Sequence, residues 1–277
     1  MTPRVVFGIP LFRGDEHLPE ALESLLGQRG VECAFVCVDD GGTDRDETAR
    51  IVEGYARADS RLHYDANPRR LGLALNWRRA FEAAVERYPG AEYFAWGSDH
   101  DVWHPDYARR LVRALDRRPD AALAYAREAV LTSERVLHPR RPAIDTSGIG
   151  SRTVKLWRLA REMRAGQMVY GVFRVEALHR AGGFRQVLFP DRLVLTEVAL
   201  QGQLIEVSEV LWYRRKLAGF SVERQVGAIF PDGAPRWSQL PWWLTHTAVL
   251  ARTCGRGAAV VFLAANGSRA AAARLRA

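Results

Sequence analysis

The first half of the chain alternates between short apolar segments and amphipathic segments, and this alternation limits the fold more than any other feature. The apolar segments have the length of buried strands, and the segments between them repeat their apolar residues at helical spacing. The predicted strands are 5–9, 33–38, 62–64, 93–96 and 122–126, and the predicted helices are 18–26, 51–56, 73–85 and 107–115. Strands that alternate with helices indicate an α/β fold whose central sheet is mostly parallel and is flanked by helices.

Three of the predicted strands end in residues that suit a ligand site. Pro10 follows the first strand, Asp39 and Asp40 follow the second, and Asp99 follows the fourth. Ligands of parallel sheets bind beyond the carboxyl ends of the strands, so we expect these residues on one rim. The chain has no Gly-x-Gly-x-x-Gly after the first strand and no Gly-Lys-Ser/Thr loop, which argues against a dehydrogenase and a P-loop enzyme.

Asp99 and Asp101 form an Asp-x-Asp pair directly after an apolar strand. Alternate residues of an extended chain point the same way, so both carboxylates can face one cation, whereas His100 is expected to point away. Mg²⁺ typically takes one or two carboxylates and leaves its other positions to water and phosphates. The pair therefore suits a metal-bound diphosphate. Alone, two such aspartates are more often solvated or capping a helix.

Composition excludes little, but it sets expectations about partners and compartment. The formal net charge of +8 comes from 40 Lys and Arg against 32 Asp and Glu, with the arginines scattered along the chain. That pattern does not favour a nucleic-acid partner. The chain has 3 cysteines, too few for a disulfide framework, which favours a reducing compartment. No signal-like segment opens the sequence and no apolar run reaches ~20 residues, so we expect a cytoplasmic protein.

The later part of the sequence is less regular. Residues 138–151 and 217–235 are interpreted as irregular, with helices predicted at 154–163 and near 191–201. The tail contains Trp237, Trp242 and Trp243 before an alanine-rich helical stretch. These rings could lie at a lipid surface, as a peripheral membrane contact. We expect instead that they pack against the main domain.

Several ordered motifs of the chain resemble those of inverting family 2 glycosyltransferases, which have the GT-A fold. The motifs are Gly8-Ile9-Pro10-Leu11-Phe12, Val38-Asp39-Asp40-Gly41-Gly42-Thr43-Asp44, Asn67-Pro68-Arg69-Arg70-Leu71-Gly72 followed by Asn76, and Ser98-Asp99-His100-Asp101 with Trp103 and Pro105 behind it. The resemblance spans about residues 4 to 215. The order and spacing of these four motifs are a more specific signal than any one motif alone. Thr43 or Asp44 is also predicted to cap the helix that follows.

The resemblance implies a metal-dependent transfer of a sugar from a nucleoside-diphosphate sugar to a glycan, a lipid-linked or a small-molecule acceptor. It implies that Asp39 binds the nucleobase, that Asp99 contacts ribose or metal, and that Asp101 ligates Mn²⁺ or Mg²⁺. Further nucleotide-sugar contacts are assigned to Pro10, Asp40, Arg70, Arg214 and Arg215. For the three arginines, a solvated surface role is the alternative.

The catalytic base implied by the resemblance is Asp191, which precedes Gly202 by eleven positions. Pro190 stands where the family usually has Glu, so Glu197 remains a rival. The structural alternative for Asp191 is a helix N-cap. Tyr170 and Gly171 are predicted to lie near the acceptor.

These assignments divide the chain into three predicted parts. Residues 1–132 form the nucleotide-sugar-binding half, 133–235 the acceptor and base half, and 236–277 a helical C-terminal tail. Two other functions remain open at this point. A sugar-nucleotide nucleotidyltransferase would need a Gly-rich basic loop after the first strand, and a non-catalytic binding module would be consistent with the missing Glu at 190.

Overall fold

The computed structural model describes residues 2–13, 16–41, 45–132, 137–139, 144–163, 166–215 and 221–274. Its strands are β1 (Val5–Leu11), β2 (Cys33–Asp39), β3 (Leu62–Ala66), β4 (Tyr93–Trp96), β5 (Val102–Trp103), β6 (Ala121–Leu131), β7 (Leu137–Pro139), β8 (Val172–Arg174) and β9 (Gln203–Arg215). Its α-helices are α1 (Leu18–Leu26), α2 (Arg45–Ala58), α3 (Leu73–Arg87), α4 (Tyr107–Asp116), α5 (Arg152–Glu162), α6 (Val175–Ala181), α7 (Pro190–Ala199), α8 (Val222–Ile229), α9 (Trp242–Thr253) and α10 (Arg256–Arg274).

The strands form one sheet in the order β3-β2-β1-β4-β8-β6-β9-β5, and β7 pairs with β6. Strands β1 to β4 are parallel to one another, as the alternating pattern predicts. Strand β8 then enters antiparallel between β4 and β6, whereas β6 and β9 are parallel. The α/β prediction is confirmed, with the parallel arrangement concentrated in the first half.

Helices cover both faces of the parallel strands, which explains why β1, β2 and β4 are buried along their whole length. Helix α3 packs very closely on β1 at Gly8, which has no side chain. A Cβ at this position would lie only 2.6 Å from the carbonyl oxygen of Ala80. The two main hydrophobic clusters each contain residues from both sides of residue 132. The predicted division at that residue therefore runs through a shared core.

One segment in the later part of the chain differs from its prediction. The segment predicted as irregular at 217–235 contains α8, whose N-cap Ser221 accepts a hydrogen bond from the Arg224 amide at 3.1 Å. The predicted cap of the second helix, Thr43 or Asp44, lies outside the described residues.

The C-terminal helices pack on α5 and α7 through a third apolar cluster. Leu250 and Phe262 of the tail meet Leu156 and Leu193 there. Trp242 and Trp243 join the cluster, so the expectation that they pack against the main domain is confirmed. Trp237 stays 42% exposed, and its contact with a lipid surface stays the untested alternative. Among the described helices, none combines the length and apolarity needed to cross a bilayer.

Candidate active site

The carboxyl ends of β1, β2 and β4 form one rim, where the sequence places most of its candidate residues. Pro10 is buried within β1, opposite Val38 of β2, so the strand continues beyond it to Leu11. Asp39 at the end of β2 is fully buried. Its Oδ1 accepts a hydrogen bond from the Gly41 amide at 3.1 Å, and its Oδ2 accepts one from the Tyr64 hydroxyl at 2.8 Å. The turn after β2 and strand β3 therefore orient this carboxylate.

Asp40 has more hydrogen-bond donors than its neighbour. Its oxygens accept from the side-chain amide of Asn67 at 3.0 Å and from the backbone amides of Leu71 and Gly72 at 2.7 and 2.8 Å. Asn67 also donates to Asn76 at 2.9 Å. This buried network ties the end of β2 to the start of α3. The nucleotide-binding role of Asp40 stays a prediction.

Asn76 completes this network from helix α3. Its side-chain amide donates to the carbonyl oxygens of Leu11 and Val38, both at 3.1 Å. The sequence pattern marks Asn67 and Asn76 as parts of a motif but gives no sign of this bracing role. The roles emerge only because the ends of β1, β2 and β3 meet at the helix.

The Asp-x-Asp segment bends at Asp99 and His100 rather than continuing as a strand. His100 Nδ1 lies 2.5 Å from Asp99 Oδ1, and His100 Nε2 lies 3.8 Å from Asp101 Oδ1. The expectation that His100 points away from the aspartates is therefore wrong. Alternation of side chains holds only for extended backbone, which ends before this residue.

Asp101 is 1% exposed and anchored by β9. Its Oδ2 accepts from the Trp212 indole at 3.1 Å, and its Oδ1 accepts from the Arg215 amide at 2.8 Å. Burial raises the pKa of Asp101, opposed by the charge of His100 and by these two donors. Asp101 thus has structural contacts whether or not it also ligates a metal.

The two arginines at the end of β9 have protein partners. The Arg215 guanidinium donates to the carbonyl oxygen of His100 at 3.0 Å and to Glu20 at 2.6 Å. Arg214 Nε lies 3.4 Å from a carboxylate oxygen of Glu128. Their phosphate-binding roles stay predictions, and the Arg215 guanidinium here clamps the Asp-x-Asp bend to α1.

Arg70 is exposed at the rim, with its guanidinium 4.5 Å from the centre of the Phe12 ring. Arg13 flanks the same ring at 5.2 Å and has a positive φ of 54°. No site role is assigned from the sequence to Phe12, which ends the first strand motif, or to Arg13, which follows it. The structure therefore places two guanidinium groups beside one aromatic ring at the strand ends.

The residues of the Asp-x-Asp bend fit a hard divalent cation by their chemistry. Asp99 and Asp101 offer carboxylate oxygens and His100 an imidazole, and phosphates can supply the remaining ligands. Each Asp101 oxygen has one protein donor, which leaves a second lone pair for a metal. Within the described ranges, no group of three or more His, Cys, Asp or Glu side chains forms a self-sufficient metal site.

Asp191 lies in the first turn of α7, after Pro190 at the first helical position. The N-cap is Phe189, so the interpretation of Asp191 as a cap is wrong. A Cβ on Gly166 would overlap Asp191 Oδ2, which shows how closely that backbone approaches the carboxylate. Asp191 Oδ1 is buried and has no hydrogen-bond partner among the described residues. Burial raises the pKa of Asp191, opposed by the amide and the charge of Arg192.

Glu197, the rival base, has a different environment on the same helix. It is fully buried, it pairs with Arg185, and it accepts from the Thr253 hydroxyl of α9 at 2.6 Å. Burial raises the pKa of Glu197, opposed by both partners. Both oxygens of Glu197 are therefore used in holding α7 to its neighbours.

Tyr170 connects the two sets of carboxylates. Its ring packs 4.7 Å from that of Trp212, and its carbonyl oxygen accepts from the Tyr107 hydroxyl. Burial raises the pKa of Tyr170 well above its ordinary value, and the negative charges of Asp101, Asp99 and Asp191 raise it further. The charges of the Asp-x-Asp bend and of Asp191 thus all act on the pKa of the Tyr170 hydroxyl.

Comparisons with known proteins follow the same outline. Residues 7–188 match the model of glycosyl transferase family 2. The matched range ends three residues before Asp191. An uncharacterised glycosyltransferase of Rickettsia felis is 29% identical over 115 residues, which is 42% of this chain and 18% of that protein. One of Rickettsia typhi is 27% identical over 116 residues and is matched over 33% of its length. The chain thus spans a third or less of these relatives.

Solved structures share the fold at low sequence identity. Residues 1–349 of S. aureus TarS, in complex with UDP-GlcNAc, align with a TM-score of 0.60 and 16% identity over 91% of this chain and 71% of that one. The mannosyltransferase PcManGT of Pyrobaculum calidifontis, in complex with GDP-Man and Mn²⁺, aligns with a TM-score of 0.57 and 19% identity over 100% and 79%. The fold is that of the GT-A glycosyltransferases.

Proposed function

Because the chain belongs to glycosyl transferase family 2, we propose that it moves a sugar from a nucleoside-diphosphate sugar to an acceptor hydroxyl with inversion at the anomeric carbon. One observation carries the proposal. A buried carboxylate oxygen of Asp191 lacks a hydrogen-bond partner in the described structure. The charges of Asp191, Asp99 and Asp101 also all act on the pKa of Tyr170, which supports placing the three carboxylates in one site. A buried unsatisfied acceptor costs stability, and such groups are common where chemistry uses them.

The donor nucleotide is proposed to bind at the rim of β1, β2 and β4. Asp39, oriented by Gly41 and Tyr64, would accept the ring N–H of uracil or thymine. Guanine also offers a ring N–H, whereas adenine does not. Arg70, and with it Arg13, would face the diphosphate, because guanidinium groups suit phosphate geometry.

Mn²⁺ or Mg²⁺ is proposed to bind at Asp99 and Asp101, with His100 beside both carboxylates. When bound, such an ion offsets the negative charge that develops on the leaving diphosphate. The contacts of Asp101 with Trp212 and Arg215 hold its carboxylate in place before any ligand arrives. This preorganisation avoids a reorientation cost during the reaction.

Asp191 is proposed to act as the general base. Its unpartnered oxygen would accept the proton of the acceptor hydroxyl. As that proton leaves, the hydroxyl oxygen of the acceptor attacks the anomeric carbon, and the bond from this carbon to the diphosphate breaks. The raised pKa of Asp191 improves its match to a hydroxyl proton near neutral pH. A single displacement of this kind needs no enzyme nucleophile, and it inverts the anomeric centre.

The test is a donor panel of UDP-, dTDP-, GDP- and ADP-sugars, with release of nucleoside diphosphate followed in Mn²⁺ and in chelator. We expect turnover that needs the ion, with ADP-sugars the poorest donors and a product of inverted configuration by NMR. Asp99→Asn is the preferred metal-site variant, since changes at Asp101 also remove contacts to β9. Equal rates in chelator would reject the metal role, and a retained configuration would reject the single displacement.

A further inference from the structure

The turn that leads into α7 is strained. Phe189 adopts φ 52° and ψ 54°, the left-handed region that a bulky residue rarely enters. Such a conformation costs of the order of 1 kcal/mol or more and persists only where the surrounding structure imposes it. Asp191 follows two residues later, so the direction of its side chain depends on this turn.

Two hydrogen bonds from other elements hold the turn. The Phe189 amide donates to the side-chain oxygen of Gln225 in α8 at 3.1 Å. On the preceding residue, the carbonyl oxygen of Leu188 lies 2.7 Å from His246 Nε2 in α9. A carbonyl oxygen can only accept, so His246 must carry its proton on Nε2.

His246 itself is enclosed by aromatic rings of the C-terminal helices. It is fully buried, with its ring centre 5.0 Å from that of Trp242 and 6.1 Å from that of Phe262. Trp242 also packs edge-on against the Phe189 ring at 5.7 Å. Helix α9 therefore contacts the strained turn through both an imidazole donor and an aromatic ring.

We propose that His246 is a positioning residue for Asp191, acting through its hydrogen bond to Leu188. Loss of the donor leaves the Leu188 carbonyl buried without its partner and removes a restraint on Phe189, so the first turn of α7 loosens. The inference rests on the proposed function of Asp191 as a base. It concerns a helix beyond residue 188, where the match to the family ends.

The experiment compares His246→Phe, which keeps an aromatic ring and removes the donor, with His246→Gln, whose amide can donate from nearly the same position. Leu250→Ala is the packing control, because Leu250 is fully buried on the same helix. For each protein we measure kcat, the donor KM and deuterium exchange of residues 186–193. We expect His246→Phe to lower kcat about tenfold, keep the donor KM within about twofold and speed exchange in that segment.

The variants must then separate positioning from general stability. His246→Gln should restore both kcat and protection, and Leu250→Ala should lower the melting temperature without changing either. Should His246→Phe not fold, His246→Asn replaces it, since its shorter amide does not reach Leu188. Unchanged exchange in 186–193, or faster exchange with unchanged kcat, would overturn the inference.

A failure of the proposed function has a different signature. A wild-type protein that consumes no sugar nucleotide rejects that function, whereas the exchange data still decide whether His246 holds the turn. If wild type is active and Asp191→Asn is equally active, Asp191 is not the base. His246 then has nothing catalytic to position, even if it protects the turn.

Discussion

The carboxylates at the strand ends and the carboxylate on α7 are held in opposite ways. At the rim, Asp40 accepts three hydrogen bonds and Asp101 two, all from groups that the fold fixes. At the start of α7, Asp191 keeps one buried oxygen without a partner in the described structure. The hydrogen bonds at the rim hold its carboxylates in place before a ligand binds. The unpartnered oxygen of Asp191, in contrast, can still accept a proton.

The largest expected effect comes from neutralising the unpartnered carboxylate. Asp191→Asn should lower kcat by about 10²-fold or more, because the amide cannot take the acceptor proton. Its melting temperature should stay the same or rise, since burial opposes the charge of this group. Steady-state kinetics and thermal unfolding on the same preparations give both values.

Glu197→Gln provides the matched control on the same helix. It leaves Arg185 without its ionised partner, so it should destabilise the protein. The kcat of this variant, measured at a temperature well below its melting temperature, should stay near that of the wild type. If Glu197→Gln abolishes transfer and Asp191→Asn does not, Glu197 is the base, and the contrast between the two regions fails.

At the rim, the same chemical change should act on stability. Asp40→Asn replaces a carboxylate that accepts three hydrogen bonds with a group that can accept fewer. We expect the free energy of unfolding to fall by about 2 kcal/mol, measured by urea denaturation. Asp65→Asn, which removes a partly exposed ion pair with Arg87, should cost less than about 0.5 kcal/mol. Similar costs for the two variants would show that the buried network is not what holds the rim.

A smaller effect is expected where the backbone meets Asp191. Gly166→Ala places a methyl group where Asp191 Oδ2 lies, so the carboxylate must move. We expect kcat to fall about tenfold with the donor KM unchanged, because misplacement affects chemistry more than donor binding. Gly150→Ala is the control, as a Cβ there meets nothing within 4 Å. An unchanged kcat in Gly166→Ala would mean that the close approach does not set the position of the base.

The smallest expected effect is a pH dependence of stability that comes from His246, the proposed positioning residue for Asp191. Burial lowers the pKa of His246 from 6.5 to about 4, so the folded state binds fewer protons than the unfolded state between these values. Stability from this group is complete above pH 6.5 and falls as the pH falls. Between pH 6.5 and 5.5 the loss should be about 1 kcal/mol relative to His246→Phe. Urea unfolding at several pH values measures it, and a difference that does not change with pH would show that His246 is not held neutral.

Much of the rim was predictable, because its residues lie at the ends of strands that the apolar pattern marks. Asp39 ends its strand and Asp99 follows β4, close to where the pattern placed them, and the match to residues 7–188 confirms the family that the motifs resemble. The side-chain direction of His100 was not predictable, because it depends on a bend that ends the alternation of the strand. The role of Asn76 depends likewise on carbonyl groups of two other strands.

The sequence by itself determined the alternation of strands and helices, the family, and the rim where the carboxylates gather. These follow from local periodicity and from short motifs, in which neighbouring residues act together. Tertiary structure alone decided that Asp40 and Asp101 accept several hydrogen bonds and that Asp191 keeps an oxygen without a partner among the described residues. The donors to Asp101 come from β9 and the hold on Leu188 from α9, so these hydrogen bonds form only when segments distant in the chain pack together.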